Sequence, residues 1–382
     1  MRILVFGCGN IGSVAAKDVA INLTSADVVI ADKDEDRARR VAENIGTDNV
    51  SHIQLDAADY HGLLTTIKDF AIVLGFLPPG LGYRLATACI EAKRNMVDVS
   101  YMAEDPLKLS EEAEKADITI VPDCGLAPGI SNLLVGHAVA GLDKVRTVHV
   151  LVGGLPEKPA PPLGYTITWS PESLIDEYTR KAGIIDNGVN CELEALSGLQ
   201  KITFSGLGRL EAFYTDGLRT LLHTVRGVDE MWEKTLRYPG HAEKIRTLRA
   251  LGFFDQAKVD VGNVSVSPRM LTARLFERKL HNQETRDIVA LRVEVSGTKN
   301  GRQLTYTYNL LDAYDQTQKI TAMARTTAYP ASIIAQLILK KTVKYKGVVP
   351  LETIGNNDTL FKALISELQR RHIKVIEEKT AG

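Results

Sequence analysis

Residues 2–12 read RILVFGCGNIG, and the fold of the N-terminal part of the chain follows from this stretch. The apolar run RILVF predicts a buried strand, and Gly7, Gly9 and Gly12 then have the spacing G-x-G-x-x-G. Apolar residues at helical spacing come after Gly12 and predict a helix with one buried face. A strand, a glycine-rich turn and a helix in this order are typical of a unit that binds a dinucleotide.

Each glycine of this turn has a physical role. Gly7 permits the tight turn, Gly9 lets a pyrophosphate approach the backbone, and Gly12 lets the helix pack close to the strand. Asn10 and Ile11 lie at the helix N-terminus, where free N–H groups and the positive end of the helix dipole attract phosphate. We therefore predict that Gly7, Gly9, Asn10, Ile11 and Gly12 bind the cofactor; the alternative is a glycine-rich turn in another α/β unit.

A second apolar run, VVIA at 28–31, ends in Asp32, 20 residues after Gly12. Dinucleotide-binding units place at this distance the acid that binds the adenosine ribose hydroxyls. Asp32 would repel a 2′-phosphate, which favours NAD over NADP, whereas the neighbouring Lys33 weakens this preference and keeps NADP possible. Asp56 ends the third predicted strand and is a candidate both for the adenine amino group and for a helix cap.

Short apolar strands and helices alternate as far as residue 121. Six strands connected by helices predict an α/β fold with a doubly wound parallel Rossmann sheet. Phe76, Leu77 and Pro78 follow the fourth strand, at the carboxyl edge of the sheet, where they would line the cofactor crevice. Two glycines and a proline between residues 123 and 130 indicate a junction to a second domain.

After this junction the hydrophobic pattern changes to the period of two that antiparallel strands show. We predict an NAD(P)-binding domain over residues 1–125 and an α+β catalytic and dimerisation domain over residues 126–324. A helix over residues 321–340, entered through Pro330, indicates that helices from about residue 325 to 382 pack back on the first domain. Strands are predicted at 145–152, 164–169, 288–296 and 303–310, and the charged run 218–251 is predicted to be mostly helical.

The composition is that of an ordinary globular protein. Hydrophobic residues make up 45% of the chain, and 46 basic against 47 acidic side chains give a formal net charge of -1. This balance argues against nucleic acid or an anionic membrane as a partner, because both require a basic surface. No two of the four cysteines are spaced as C-x-x-C, and no Cys/His cluster has zinc spacing, which predicts reduced thiols, a cytoplasmic location and no metal site.

Several unusual segments together resemble the saccharopine dehydrogenase-like family over nearly the whole chain. The chain is short for a saccharopine reductase, and VPDCGLAPG and TLRYPGH are more similar to the L-lysine 6-dehydrogenase branch of that family. The segments are GCGNIG at 7–12, VDVSY at 97–101, DCGLAPGISNLL at 123–134, GGLP at 153–156, PLGYTITWSPESLIDEY at 162–178, TLRYPGHAEKIRTL at 235–248 and MARTTAYPAS at 323–332.

The resemblance implies an NAD(P)-dependent oxidoreductase that acts on a C–N bond of a small amino-acid substrate, and a homodimer. In the lysine branch, hydride leaves the ε-carbon for the nicotinamide, water adds to the imine, and ammonia departs. The resulting semialdehyde cyclises to piperideine-6-carboxylate. One alternative is a saccharopine or carboxynorspermidine reductase of the same family. An alternative of another class is an NAD-binding regulatory or scaffold protein without turnover.

Four residues are candidates for catalysis. Amine oxidation needs a base, because only the free amine can donate its lone pair as hydride leaves. Asp98 and Tyr101 follow the fifth predicted strand, where Asp98 would hold the lysine ammonium and Tyr101 would line the nicotinamide site. Asp123, in the predicted interdomain loop, is a candidate base or ammonium partner, and His241 is a candidate proton relay. Turn, capping or packing roles are the alternatives.

Four further residues are candidates for substrate binding. Arg219 is the candidate partner of the substrate carboxylate, with a solvated helix face as the alternative. Tyr165 and Trp169, at i and i+4 of a predicted strand, would wall the pocket, or else pack in the core. Cys124 lies beside Asp123 at the junction, where a small packing role is the alternative.

Overall fold

The computed structural model describes residues 1–281 and 286–382. Within them the chain divides into two compact units. The first unit comprises Met1–Gly141 and Ala324–Lys374, and the second unit comprises Leu142–Met323 and Val375–Gly382.

The two compact units divide after Gly141, whereas we predicted the domain boundary at residue 125. The reason is the helix Ile130–Ala140, which belongs to the first unit. Gly136 of this helix packs so closely on Glu352 that a Cβ at residue 136 would overlap the Glu352 backbone.

One parallel sheet of seven strands forms the centre of the first unit. With elements numbered along the chain, its strands are β1 (Arg2–Phe6), β2 (Asp27–Asp32), β3 (Val50–Gln54), β4 (Ile72–Gly75), β5 (Asn95–Asp98), β6 (Thr119–Val121) and β17 (Gly347–Val348). Their spatial order is β17-β6-β5-β4-β1-β2-β3, so the order reverses beside β1, where doubly wound sheets bind their ligands. The predicted doubly wound sheet is confirmed, with seven strands instead of six because β17 from the C-terminal part pairs with β6.

Helices pack around this sheet. They are α1 (Asn10–Asn22), α2 (Glu35–Ile45), α3 (Tyr60–Ile67), α4 (Pro79–Ala92), α5 (Ser110–Lys115), α6 (Ile130–Ala140), α11 (Ala322–Leu339), α12 (Leu351–Gly355) and α13 (Asp358–Arg370), with a 3-10 turn over Pro106–Leu109. Strands β1 and β4 are buried along nearly their whole length, as expected for a parallel sheet with two covered faces. Pro330 lies inside α11 and not at its entry, where we predicted it.

The second unit contains a mixed sheet of nine strands. They are β7 (Lys144–Pro156), β8 (Ala182–Asp186), β9 (Val189–Leu193), β10 (Gln200–Phe204), β11 (Gly208–Tyr214), β12 (Glu230–Arg237), β15 (Asp287–Lys299), β16 (Arg302–Ala313) and β18 (Val375–Ala381). The main order is β10-β11-β12-β7-β15-β16-β18, and β12 is parallel to β7. Because β18 pairs with β16, the last residues of the chain belong to the second unit and not, as predicted, to the first.

Four helices and a small hairpin complete the second unit. They are α7 (Pro171–Thr179), α8 (Leu221–Thr224), α9 (His241–Ala250) and α10 (Pro268–Leu280), together with the hairpin β13 (Val259–Val261) and β14 (Val264–Val266); α8 is a single turn. The prediction of a mostly helical run over 218–251 was wrong, because strand β12 lies within it. Buried Glu233 and Arg237 interrupt the apolar alternation by which β12 would be recognised.

The predicted strand over 164–169 was also wrong. Its backbone pairs with a loop and a helix end: the amide of Tyr165 donates to Ala160, and that of Ile167 donates to Leu280. The alternation is real but serves another purpose, since Tyr165 and Ile167 are buried in a hydrophobic cluster with α7 and α9. Among the described residues, no helix combines the length and the apolar character that crossing a membrane requires.

Candidate cofactor and substrate sites

The glycine-rich turn between β1 and α1 has the shape that a dinucleotide requires. Gly7 has a φ of +92°, a conformation that L side chains rarely adopt. A Cβ at Gly12 would overlap the Gly7 carbonyl oxygen, so only glycine lets α1 approach this closely. A Cβ at Gly9 would meet nothing within 4 Å, which leaves open space beside the backbone where a pyrophosphate would lie.

The N-terminus of α1 is available to an anion. Gly9 caps the helix without a side-chain hydrogen bond, and Gly9 and Asn10 are exposed. The N–H groups of Asn10, Ile11 and Gly12 point along the helix axis toward that end, where the helix dipole is positive. The turn therefore fits the pyrophosphate of a nicotinamide dinucleotide.

Asp32, at the end of β2, is tied to the turn. Its Oδ2 accepts hydrogen bonds from the Cys8 amide at 3.0 Å and the Cys8 thiol at 3.3 Å, and Oδ1 accepts from the Asp34 amide at 3.0 Å. Burial has the largest effect on the Cys8 thiol and the Asp32 charge the next largest, and together they raise the pKa of Cys8 to about 12. The thiol therefore stays protonated and donates its hydrogen bond to Asp32. Sequence reasoning did not identify Cys8, because it lies at a variable position of the glycine pattern.

The other predicted cofactor residues differ in position. The carbonyl of Phe76 packs directly against Gly7, which brings the loop Phe76, Leu77 and Pro78 to the glycine-rich turn. Lys33 is exposed. Asp56 is exposed and accepts a hydrogen bond from the Ala58 amide at 2.9 Å, a local turn that favours the capping alternative over adenine binding.

Two acids lie together at the carboxyl ends of the neighbouring strands β5 and β6. Asp98 is fully buried, and its Oδ2 accepts hydrogen bonds from the Ser100 hydroxyl and, at 2.9 Å, from the Ser100 amide. Asp123 is 4% exposed and has a φ of +51°. The Cys124 amide donates to the Asp98 carbonyl at 2.8 Å and joins the two segments. A left-handed backbone at a buried acid is the kind of strain that clusters at functional sites.

Tyr101 and Cys124 flank these acids. Tyr101 follows Ser100 and is half-buried. Cys124 is fully buried, and burial, followed by the charges of Asp98 and Asp123, raises the pKa of its thiol well above the ordinary value. Such a thiol is not a nucleophile, which favours the packing role that we had left as the alternative.

In the second unit, Arg237 of β12 is the centre of a buried polar cluster. Its guanidinium donates to both carboxylate oxygens of Glu177 at 2.9 and 3.0 Å and to the Tyr178 hydroxyl at 3.3 Å. The same guanidinium stacks over the Tyr165 ring, 4.6 Å from its centre. Trp169 donates from Nε1 to the Tyr165 hydroxyl at 2.9 Å. Tyr165 and Trp169 therefore touch, but in a loop instead of along a strand.

His241 ends this cluster. Its Nδ1 lies 3.0 Å from the Leu163 carbonyl oxygen, so it carries the proton and donates, and its Nε2 accepts from the Tyr178 hydroxyl at 2.8 Å. Burial, followed by the charge of Arg237, lowers the pKa of His241 to about 3. A neutral imidazole with both nitrogens engaged does not relay protons near neutral pH, so the geometry favours the packing alternative for His241.

Arg219 lies in the loop between β11 and α8. Its side chain is 7% exposed, so it does not lie on a solvated helix face, and its φ is +52°. Nη1 lies 3.8 Å from Oδ2 of Asp216. Sequence reasoning missed Glu177, Tyr178, Glu233 and Arg237, since nothing in their spacing shows that they meet.

Two family models match consecutive parts of the chain. The family model for the saccharopine dehydrogenase NADP binding domain matches residues 3–121, and the one for the saccharopine dehydrogenase C-terminal domain matches residues 125–373.

Three curated relatives are similar in sequence. Alpha-aminoadipic semialdehyde synthase of Arabidopsis thaliana is 25% identical over 93% of this chain, which spans 41% of that protein. Saccharopine dehydrogenase [NADP(+), L-glutamate-forming] of Saccharomyces cerevisiae is 24% identical over 100% of this chain and 99% of its own length. Carboxyaminopropylagmatine dehydrogenase of Synechocystis is 21% identical over 94% of each chain.

A solved structure of apo saccharopine dehydrogenase from Saccharomyces cerevisiae has the same fold. It superposes with a TM-score of 0.78 at 20% identity, and the match covers 99% of each chain. With two family models that together span most of the sequence, the chain belongs to the saccharopine dehydrogenase family and is an oxidoreductase that uses a nicotinamide cofactor.

Proposed function

We propose that the chain oxidises L-lysine at its ε-amine with NAD as the hydride acceptor. The products are NADH, ammonia and the 6-semialdehyde, which cyclises on its own α-amine to piperideine-6-carboxylate. The bound nicotinamide supplies the hydride acceptor, and the chain supplies binding, orientation and proton transfer.

The observation that carries this proposal is the pair of buried acids at the end of the parallel sheet. Asp98 and Asp123 lie at the carboxyl ends of adjacent strands, at the same edge of the sheet as the glycine-rich turn. Two carboxylates there are suited to an amine that enters as an ammonium and must lose a proton before its hydride departs. Asp98 accepts two hydrogen bonds from Ser100. Asp123, buried with a left-handed backbone at the end of the next strand, is our candidate base.

We also propose NAD and not NADP as the physiological cofactor. The Asp32 carboxylate is held in one orientation by Cys8 and Asp34, at the position where a ribose hydroxyl would bind. A 2′-phosphate would meet this negative charge. Lys33, the nearest cation in sequence, is exposed.

Saccharopine oxidation is the second candidate, and the end-to-end likeness to the yeast enzyme favours it. Saccharopine carries additional carboxylates and therefore needs further cations. Arg237 does not supply such a cation for the substrate, because its guanidinium already donates to both carboxylate oxygens of Glu177. This pairing favours the smaller substrate. The predicted homodimer and cytoplasmic location stay predictions.

Initial rates of NADH or NADPH formation test the proposal, with L-lysine or saccharopine as substrate. We expect turnover with lysine and NAD. Turnover with saccharopine alone, or only reductive turnover with an aldehyde and an amine, would establish the second candidate. Cofactor binding without turnover of any amine would leave a binding protein and contradict both.

Asp123→Asn is the sharpest variant for this assay. Asparagine tolerates the left-handed backbone of residue 123, so the change removes the base and spares the loop. We expect kcat to fall at least about 100-fold, with NADH affinity unchanged.

Asp117→Asn is the matched control for this variant. Asp117 lies in the same unit with a φ of +56°, but it is exposed and pairs with Lys346. We expect this variant to keep the wild-type rate. Equal rates for the two variants would exclude Asp123 as the base.

A further inference from the structure

One face of β12 carries a row of buried side chains, and one of them is a carboxyl group that pairs with no described Lys or Arg. Residues alternate along a strand, so Met231, Glu233, Thr235 and Arg237 point to the same side of the sheet. All four are buried, and Glu233 is 4% exposed. Arg237 is neutralised by Glu177, but no described Lys or Arg forms a salt bridge with Glu233.

The loop after β11 holds the Glu233 carboxyl group in place. Thr215 donates from its hydroxyl to Oε1 at 3.1 Å, and the hydroxyls of Thr215 and Thr235 lie 2.9 Å apart. Gly217 lies over Oε2, where a Cβ at residue 217 would overlap the carboxyl group. The absence of a side chain at residue 217 therefore makes room for Glu233.

The charges that act on Glu233 are negative. Burial has the largest effect, and the charges of Glu177 and Asp216 add to it, whereas the Thr215 hydroxyl opposes them; together they raise the pKa of Glu233 to about 8. An ionised carboxylate in this place lacks the cation that buried charges require. A ligand that brings an ammonium group would supply it.

We propose that Glu233 is a specificity-determining residue that binds the α-ammonium group of the amino-acid substrate. This inference rests on the proposed function. Arg219 is our candidate for the substrate carboxylate, and it lies four residues after Thr215 on the loop that covers Glu233. An amino acid carries its carboxylate and its α-ammonium on one carbon atom, so one loop can present both charges to it. Glu233 then favours an amino acid over a molecule with the same carbon skeleton that lacks the α-amine.

Glu233→Gln tests this role, because the amide keeps the shape and the hydrogen bond from Thr215 but loses the charge. We expect KM for L-lysine to rise at least about 30-fold, the effect of removing one partner of a buried charge pair. We expect kcat and KM for NAD to change much less. 6-Aminohexanoate lacks the α-amine, so its KM should stay nearly constant and the preference for lysine should shrink.

Glu230→Gln is the matched control. Glu230 lies on the same strand but on the opposite face, where its Oε1 contacts His149 and Trp232. We expect this variant to keep the wild-type KM for lysine. Glu233→Asp retains the charge and should recover part of the lost affinity, and thermal melting of each variant shows whether the fold is intact.

Calorimetric binding of L-lysine to the NADH complex separates this inference from the proposed function. Lysine binding that needs Glu233, without turnover, would contradict the function and support the inference. Turnover of lysine with equal lysine affinity in wild type and Glu233→Gln would overturn the inference alone. No binding of lysine by the wild-type protein would overturn both.

Discussion

The two units of this chain build their sites in different ways. In the first unit, the cofactor loop consists of backbone from consecutive residues, and its shape depends on where glycines stand. In the second unit, the polar cluster consists of side chains that come from separate elements: Glu177 lies 60 residues before Arg237, and Tyr178 lies 63 residues before His241.

The difference has an energetic consequence. The cofactor loop exposes Gly9 and Asn10 to solvent, and what these residues contribute appears when a ligand binds. A buried ion pair is held by the packing around it, and removing one partner leaves a charge in the protein interior. We therefore expect mutations in the cluster to change the free energy of unfolding, and mutations at the exposed positions of the loop to change cofactor affinity.

The largest effect should come from Glu177→Gln in the second unit. It leaves the buried Arg237 guanidinium without a carboxylate, and we expect a loss of about 3–5 kcal/mol in the free energy of unfolding. Urea unfolding followed by tryptophan fluorescence measures it, since both tryptophans, Trp169 and Trp232, belong to this unit.

Glu194→Gln is the control for this change. Glu194 also pairs with an arginine of the second unit, Arg249, but the pair is at the surface. Surface ion pairs contribute little, so the unfolding midpoint should hardly move. If the two variants lost the same stability, burial would not be what distinguishes the cluster.

A smaller effect is expected in the cofactor loop, where two glycines respond differently. Gly12→Ala places a methyl group on the Gly7 carbonyl and should cost about 1–3 kcal/mol of stability as well as NADH affinity. Gly9→Ala meets open space in the protein, so it should lower NADH affinity and leave thermal melting unchanged. NADH fluorescence titration and melting curves measure both. Full NADH affinity in Gly9→Ala would show that the pyrophosphate does not approach this residue.

The smallest effect concerns pH. His241 has a pKa of about 3 in the folded protein against 6.5 as a free side chain, so only the unfolded chain takes up its proton between these values. Its contribution to stability is fully present above pH 6.5 and is lost, by at most about 1.4 kcal/mol per pH unit, as the pH falls below that value.

His241→Asn should remove this part of the acid sensitivity, because the amide does not titrate. Urea unfolding of the wild type and of His241→Asn, at pH 7 and at pH 5, gives the change in the free energy of unfolding with pH for each protein. The same slope for wild type and variant would mean that His241 takes up its proton in the folded protein as readily as in the unfolded chain. In that case His241 would again be a candidate proton relay.

The first unit could be predicted in detail because its rules are local. The spacing of three glycines, an acid 20 residues later and the alternation of strands and helices each depend on neighbours in sequence. The second unit was predicted only as a class. Strand β12 was missed because Glu233 and Arg237 are buried, whereas charged residues in a sequence are normally predicted to be exposed.

The sequence by itself determined the doubly wound sheet, the cofactor turn and the family, since backbone conformation and hydrophobic period are encoded residue by residue. Only the tertiary structure decided that Asp98 and Asp123 lie at the ends of adjacent strands, that His241 is neutral and enclosed, and that no described Lys or Arg pairs with Glu233. These properties depend on which side chains meet after folding. Charge and proton affinity in a protein interior are set by burial and by neighbours that are distant in sequence.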